Sequence, residues 1–176
     1  SDPLTLAARR AVEAGMVVVA AAGNFGKNLD DEIQYGGITA PGNAPWVLTV
    51  GGSSHMGTVD RTDDTMAAFS SRGPGAIDHG AKPDLVAPGG SSFTGRLLVG
   101  VDTNSFDALG PAAGAAMDQF PNDYTMIGQG TSFASPIVAG AAMLVAQALG
   151  PWTFTPAQAL NDIALLVHAI SLPNRA

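Results

Sequence analysis

Apolar residues in this chain fall in short, unbroken blocks divided by polar stretches rich in glycine and proline. Asp2-Pro3 has the form of a helix start, with Asp as cap and Pro at the first helical position, and Gly15 marks the end of that helix. MVVVAAAG (16–23) is wholly apolar, which predicts a strand buried on both faces. A polar loop from Asn24 to about Ile38 leads to a second such block, WVLTVGG (46–52). Residues 53–65 are turn-like, and short strands are expected within TMAAFSSRGP (65–74) and KPDLVAPGG (82–90). Residues 91–122 are rich in Gly, Ala and Ser without a clear period. NDYTMIGQG (122–130) predicts one more strand, feeding a long helix from about 131 to 148 with Pro136 in its first turn. Thr155-Pro156-Ala157-Gln158 forms a capping box that opens a last helix to about 169. Helices alternating with doubly buried strands predict an α/β fold with a mostly parallel sheet sandwiched by helices.

Composition narrows the function. The 176 residues suffice for one domain, 1–176, with a real core, and 46% are hydrophobic against 13% charged. The net charge is −7 and the eight Lys and Arg are scattered, so no nucleic-acid partner is expected. Cysteine is absent, which excludes disulfides and thiolate metal sites within these residues. No apolar run reaches 18 residues without a Gly or Pro, so no membrane span is expected. SDPLTLAARR lacks the apolar stretch of a signal peptide.

Two places carry candidate chemistry. Ser132, after Gly130-Thr131, stands where the long helix begins, among small residues that include Ala134, Ala139 and Gly140. The unpaired N–H groups and positive dipole end there cap a helix and equally stabilise an oxyanion. Helix architecture alone favours a capping Ser or Thr. The G-x-S-x-G elbow of α/β-hydrolases is not matched, because position 134 is Ala. At the other place, VVVAAAGN (17–24), a buried strand delivers Asn24 at the carboxyl edge of the sheet, where open α/β sheets bind ligands. Alone, Asn24 is an ordinary loop residue.

Together these segments resemble a known family. GTSFASPIVAGAAMLV is similar to the nucleophile motif of the subtilases, the subtilisin-like serine endopeptidases, and AAAGN to their oxyanion segment. APGNAPWVLTVGG, FSSRGP and KPDLVAPGG resemble the family's intervening segments in order. The resemblance implies a subtilisin-like fold and hydrolysis of a polypeptide substrate through an acyl-enzyme. It makes Ser132 the nucleophile and Asn24 an oxyanion donor, with the Ser132 backbone N–H as the second. Thr131 would support the hole with its hydroxyl. Ala21, Ala22 and Gly23 would wall the primary specificity pocket, and Thr39 would lie near its floor. A secreted or extracellular location is implied as well.

The resemblance also implies residues that are not here. A subtilase places its Asp and then its His before the oxyanion Asn, and the 23 residues ahead of Asn24 hold no His and only Asp2, which reads as a helix cap. The expectation is therefore the C-terminal part of a catalytic domain, whose partner is the N-terminal part with Asp and His. His55, His79 and His168 read as solvated side chains, and a Ser132/His79/Asp84 triad has no support in motif order. Nucleotide binding is the weaker alternative: Gly128-Gln129-Gly130 lacks the third glycine of the dinucleotide fingerprint, and no Walker lysine follows a glycine loop. An inactive subtilase-like scaffold is the stronger one. The resemblance makes no cofactor certain and leaves calcium a possible one. Calcium is common in the family, but Asp30-Asp31-Glu32 and Asp60, Asp63 and Asp64 lack ordered ligand spacing and read as surface acidic loops.

Overall fold

The computed structural model describes residues 2–56, 58, 60–90, 98–101 and 125–149. Helix α1 runs from Pro3 to Glu13. Asp2 caps it, accepting from the Thr5 amide at 2.9 Å and from the Thr5 hydroxyl at 2.6 Å. The hydroxyl bond first, and then the amide bond, hold the Asp2 carboxyl below its ordinary value. Gly15 follows at φ +89°, a left-handed stop.

Three parallel strands form the centre of the sheet: β1 (Val19–Ala21), β2 (Leu48–Ser54) and β4 (Leu85–Pro88). Val50 pairs with Ala21 on one side and Leu85 on the other, so β2 is central and β1 and β4 flank it. The two-residue strand β3 (Thr65–Met66) adds antiparallel to the end of β2. Every residue of β2 is buried. A separate antiparallel pair joins β5 (Leu98–Val101) to β6 (Thr125–Gly128), which runs into helix α2 (Thr131–Leu149).

Both faces of the sheet are packed by helices. Ala134, Val138, Ala142 and Val145 recur at helical spacing along α2 and bury against Leu48, Val50, Leu85 and Ala87, with Val17 and Val19 at the margin. Ala8 of α1 packs with Ala44 and Val47 on the other face, against Val18 and Ala20. Val138 is 2% exposed at the centre of the larger cluster. Val138→Ala should cost about 2 kcal/mol of stability through lost burial and a residual cavity, read as a lowered melting temperature. Ile137→Ala, on the exposed side of the same helix, should leave the melting temperature nearly unchanged.

Four sequence expectations need correction. The 16–23 block contributes only three strand residues, all half-buried, and Met16 is exposed. The reason is topological: β1 has β2 on one edge and no partner on the other among the described residues. Its faces are covered as the apolar run requires, but its backbone edge is not. Residues 91–122, in which no element is expected, hold β5, a strand that exists through pairing with β6. Pro136 is the sixth residue of α2, in its second turn, so its missing N–H leaves the Ser132 carbonyl without the usual helical donor. Finally, Thr131–Ala148 is long and apolar enough to cross a membrane by length and composition, since Gly140 and Pro136 are absorbed into the helix rather than ending it. One face of it packs against β2 and β4, while Ile137, Met143 and Leu144 on it are exposed. The helix expected at about 155–169 lies outside the described residues.

Candidate active site

The parallel strands deliver their carboxyl ends to one edge of the sheet, and α2 begins over that edge. The Gly89 amide, just beyond β4, donates to Ser53 O of β2, and the Gly130 amide donates to Gly89 O at 2.8 Å. This ladder seats the N-terminus of α2 on the strand ends. Gly130 has φ +144°, and a Cβ there would approach Asn24 Nδ2 to 3.2 Å. Glycine at 130 therefore lets the helix start reach the Asn24 side chain.

Asn24 is held from the helix. Its Oδ1 accepts from the Thr131 backbone N–H and from the Thr131 hydroxyl, each at 3.0 Å. A flipped amide would set its NH2 against the Thr131 N–H, donor against donor, so Nδ2 is the atom facing away and is free to donate. The Thr131 Oγ1 also accepts from the Gly23 amide at 3.2 Å. Thr131 is 1% exposed, and its hydroxyl donates to Asn24 and accepts from Gly23.

Ser132 is exposed at the second position of α2. Its backbone N–H is one of the unpaired donors of a helix start, and it makes no backbone bond among the described residues. Its hydroxyl is not engaged as a cap either, since no described side chain or backbone group pairs with it. An exposed hydroxyl, an available amide N–H and an oriented side-chain NH2 thus share the positive end of a 19-residue helix.

The remaining predicted residues lie close by. Ala22 is fully buried: its amide donates to Val50 O at 2.8 Å, and its carbonyl accepts from the Thr39 amide at 3.0 Å. Ala21 and Gly23 on either side of it are partly exposed. Gly23, at φ +103°, has Thr39 and Ser71 side chains 3.0 Å from where a Cβ would be, so Thr39 does lie directly against the Gly23 segment. Ser71 carried no expectation beyond its place in FSSRGP.

Asp84 stands at the amino end of β4, accepting from the Thr49 amide and from Lys82 Nζ, both at 2.7 Å. That is the opposite end of the strand from Gly89 and α2, which removes Asp84 as an orienter for Ser132. His79 is exposed in a turn at φ +56°. His55 follows β2 and faces Asp64, whose carboxyl is pushed up by burial and by neighbouring Asp63. His168 lies outside the described residues. Among the described residues no group of three or more His, Asp or Glu gathers to hold a metal. In the two acidic clusters Lys27 pairs with Asp31 at 2.8 Å, Asn28 with Glu32 at 3.1 Å, and Thr58 with Asp63 at 2.9 Å.

The model of the subtilase family, Peptidase_S8, matches residues 1–172. The chain belongs to the subtilase family. Serine protease AprX of Bacillus subtilis (strain 168) is 39% identical to this subtilase over 147 residues, covering 83% of the chain and 29% of that protein. Among solved structures, a lanthipeptide protease superposes with a TM-score of 0.57 at 20% identity, covering 94% of this chain and 46% of its own. The epidermin leader peptide processing serine protease of Staphylococcus aureus gives 0.57 at 21% identity over 94% of this chain and 37% of its own. The α/β fold is therefore that of a subtilisin-like protease domain, and this subtilase spans under half the length of each of these relatives.

Proposed function

We propose that these residues supply the nucleophile and oxyanion half of a serine endopeptidase, completed by an Asp and a His from the remainder of a subtilase catalytic domain. One observation carries the reading. Thr131 grips Asn24 Oδ1 with two hydrogen bonds and so aims Nδ2 outward beside the exposed Ser132. Donors fixed before the reaction stabilise developing charge without reorganising, which is the largest single contribution in acyl transfer.

In this mechanism a histidine from the completing part takes the Ser132 proton as Oγ attacks the scissile carbonyl carbon. The carbonyl oxygen becomes an oxyanion, received by Asn24 Nδ2 and the Ser132 N–H. Collapse expels the amine with the same proton and leaves an acyl ester on Ser132, which water then hydrolyses by the reverse sequence. Gly23 and Ala21 would present backbone along the substrate, with Thr39 behind Gly23, and the buried Ala22 would fix that wall from within. The edge of β1 that has no partner among the described residues would receive a strand of the completing part. Expected partners are that part and a polypeptide substrate.

The test is labelling of the complete enzyme with a fluorophosphonate, followed by mass spectrometry of the peptide spanning residues 128–149. Ser132 should carry the label, and Ser132→Ala should remove both the label and peptidase activity. A label on any other serine, or activity surviving Ser132→Ala, would sink the assignment.

A further inference from the structure

Asn24 makes no backbone hydrogen bond of its own to another described residue. Its position is set by the peptide units on either side, and a single buried residue holds both. The Ser71 amide donates to Gly23 O at 2.9 Å, which pins the peptide unit before the Asn24 Cα. The Ser71 hydroxyl accepts from the Phe25 amide at 3.0 Å, which pins the unit after it. Fixing both planes leaves the Asn24 Cα–Cβ vector no freedom to swing. Ser71 is itself 0% exposed, so water cannot replace its hydroxyl as acceptor.

The support beneath Ser71 is rigid. The Gly26 amide donates to Phe69 O at 2.8 Å, the Gly37 amide to Arg72 O at 3.1 Å, and the Arg72 guanidinium to Gly26 O at 3.2 Å. A Cβ at Gly26 would collide with the Ala68 and Ser70 carbonyls, so the two segments lie backbone to backbone.

We propose that Ser71 is a positioning residue for the oxyanion donor: it clamps the backbone of Asn24 while Thr131 clamps the side chain. This rests on Asn24 serving as the donor described above. Ser71 touches neither the nucleophile nor the substrate, and its effect passes entirely through Asn24. Removing its hydroxyl frees the Asn24–Phe25 peptide plane, and Nδ2 then drifts from the point where the oxyanion forms.

The experiment is a double-mutant cycle in the complete enzyme, with kcat and KM measured on one peptide substrate. Ser71→Ala should lower kcat roughly tenfold to a hundredfold with KM unchanged, because a small misplacement of a catalytic group has effects of that size. In an Asn24→Ala background the same substitution should cause no further loss. Ser71→Cys, which keeps a weaker acceptor, should fall between Ser71 and Ala, and it serves as the reading variant if Ser71→Ala does not fold. An unchanged kcat, or an equal loss in both backgrounds, would overturn the proposal and leave Ser71 a structural serine. If Asn24→Ala itself leaves kcat unchanged, the oxyanion reading fails first and the role of Ser71 goes with it.

Discussion

Asn24→Ala in the complete enzyme should lower kcat by about 10²–10³ with little change in KM, a scale known from removing the oxyanion-hole asparagine of subtilisin. The site explains why the loss falls on kcat. Nδ2 is aimed outward by two bonds to Oδ1, and in the proposed role it would donate to the oxyanion as charge develops and not to the ground-state carbonyl. Asn24→Asp should be at least as damaging. Its carboxylate would still accept from Thr131, but it would set a negative charge beside the forming oxyanion and offer no donor. Thr131→Val keeps the backbone N–H bond and removes only the hydroxyl, so it should give a smaller loss of about tenfold. Steady-state kinetics across the three variants orders them. An unchanged kcat for Asn24→Ala would remove Asn24 from the oxyanion hole.

Residues 1–176 expressed by themselves should show no peptidase activity above background and should resist fluorophosphonate labelling at Ser132. The reason follows from the proposed function, in which the base comes from the completing part of the domain. Asp84 is committed to Lys82 and Thr49 at the far end of β4, and His79 is exposed in a turn. A serine hydroxyl without a base is a weak nucleophile at neutral pH, and the oxyanion hole does not change its proton affinity. In subtilisin, losing the histidine costs about 10⁶ in kcat, nearly as much as losing the whole triad. Adding the completing part of the domain should restore both activity and labelling, and Ser132→Ala should abolish both again. If residues 1–176 alone label as fast as the complemented pair, a base lies within them. His79→Ala would then be the first variant to make.

The sequence by itself determined the fold class and the two segments that meet at the site. Apolar blocks at 16–23 and 46–52, and the long small-residue helix, are local patterns, and local patterns report which segments must be covered. The motifs around Asn24 and Ser132 identified the family because several of them stand in register. Tertiary structure decided the rest, since each remaining feature depends on a contact between residues far apart in the chain. β1 is half-buried because it lies at an edge, and apolar composition records the covering of faces, not the number of neighbouring strands. β5 exists only through its pairing with β6 and has no period of its own to read. The Thr131 hydroxyl turns to Asn24, 107 positions away, because a buried hydroxyl must find partners and these are the ones the fold brings within reach. Ser71 joined the site in the same way: nothing beside it in the chain shows that its hydroxyl will meet the Phe25 amide, 46 positions earlier.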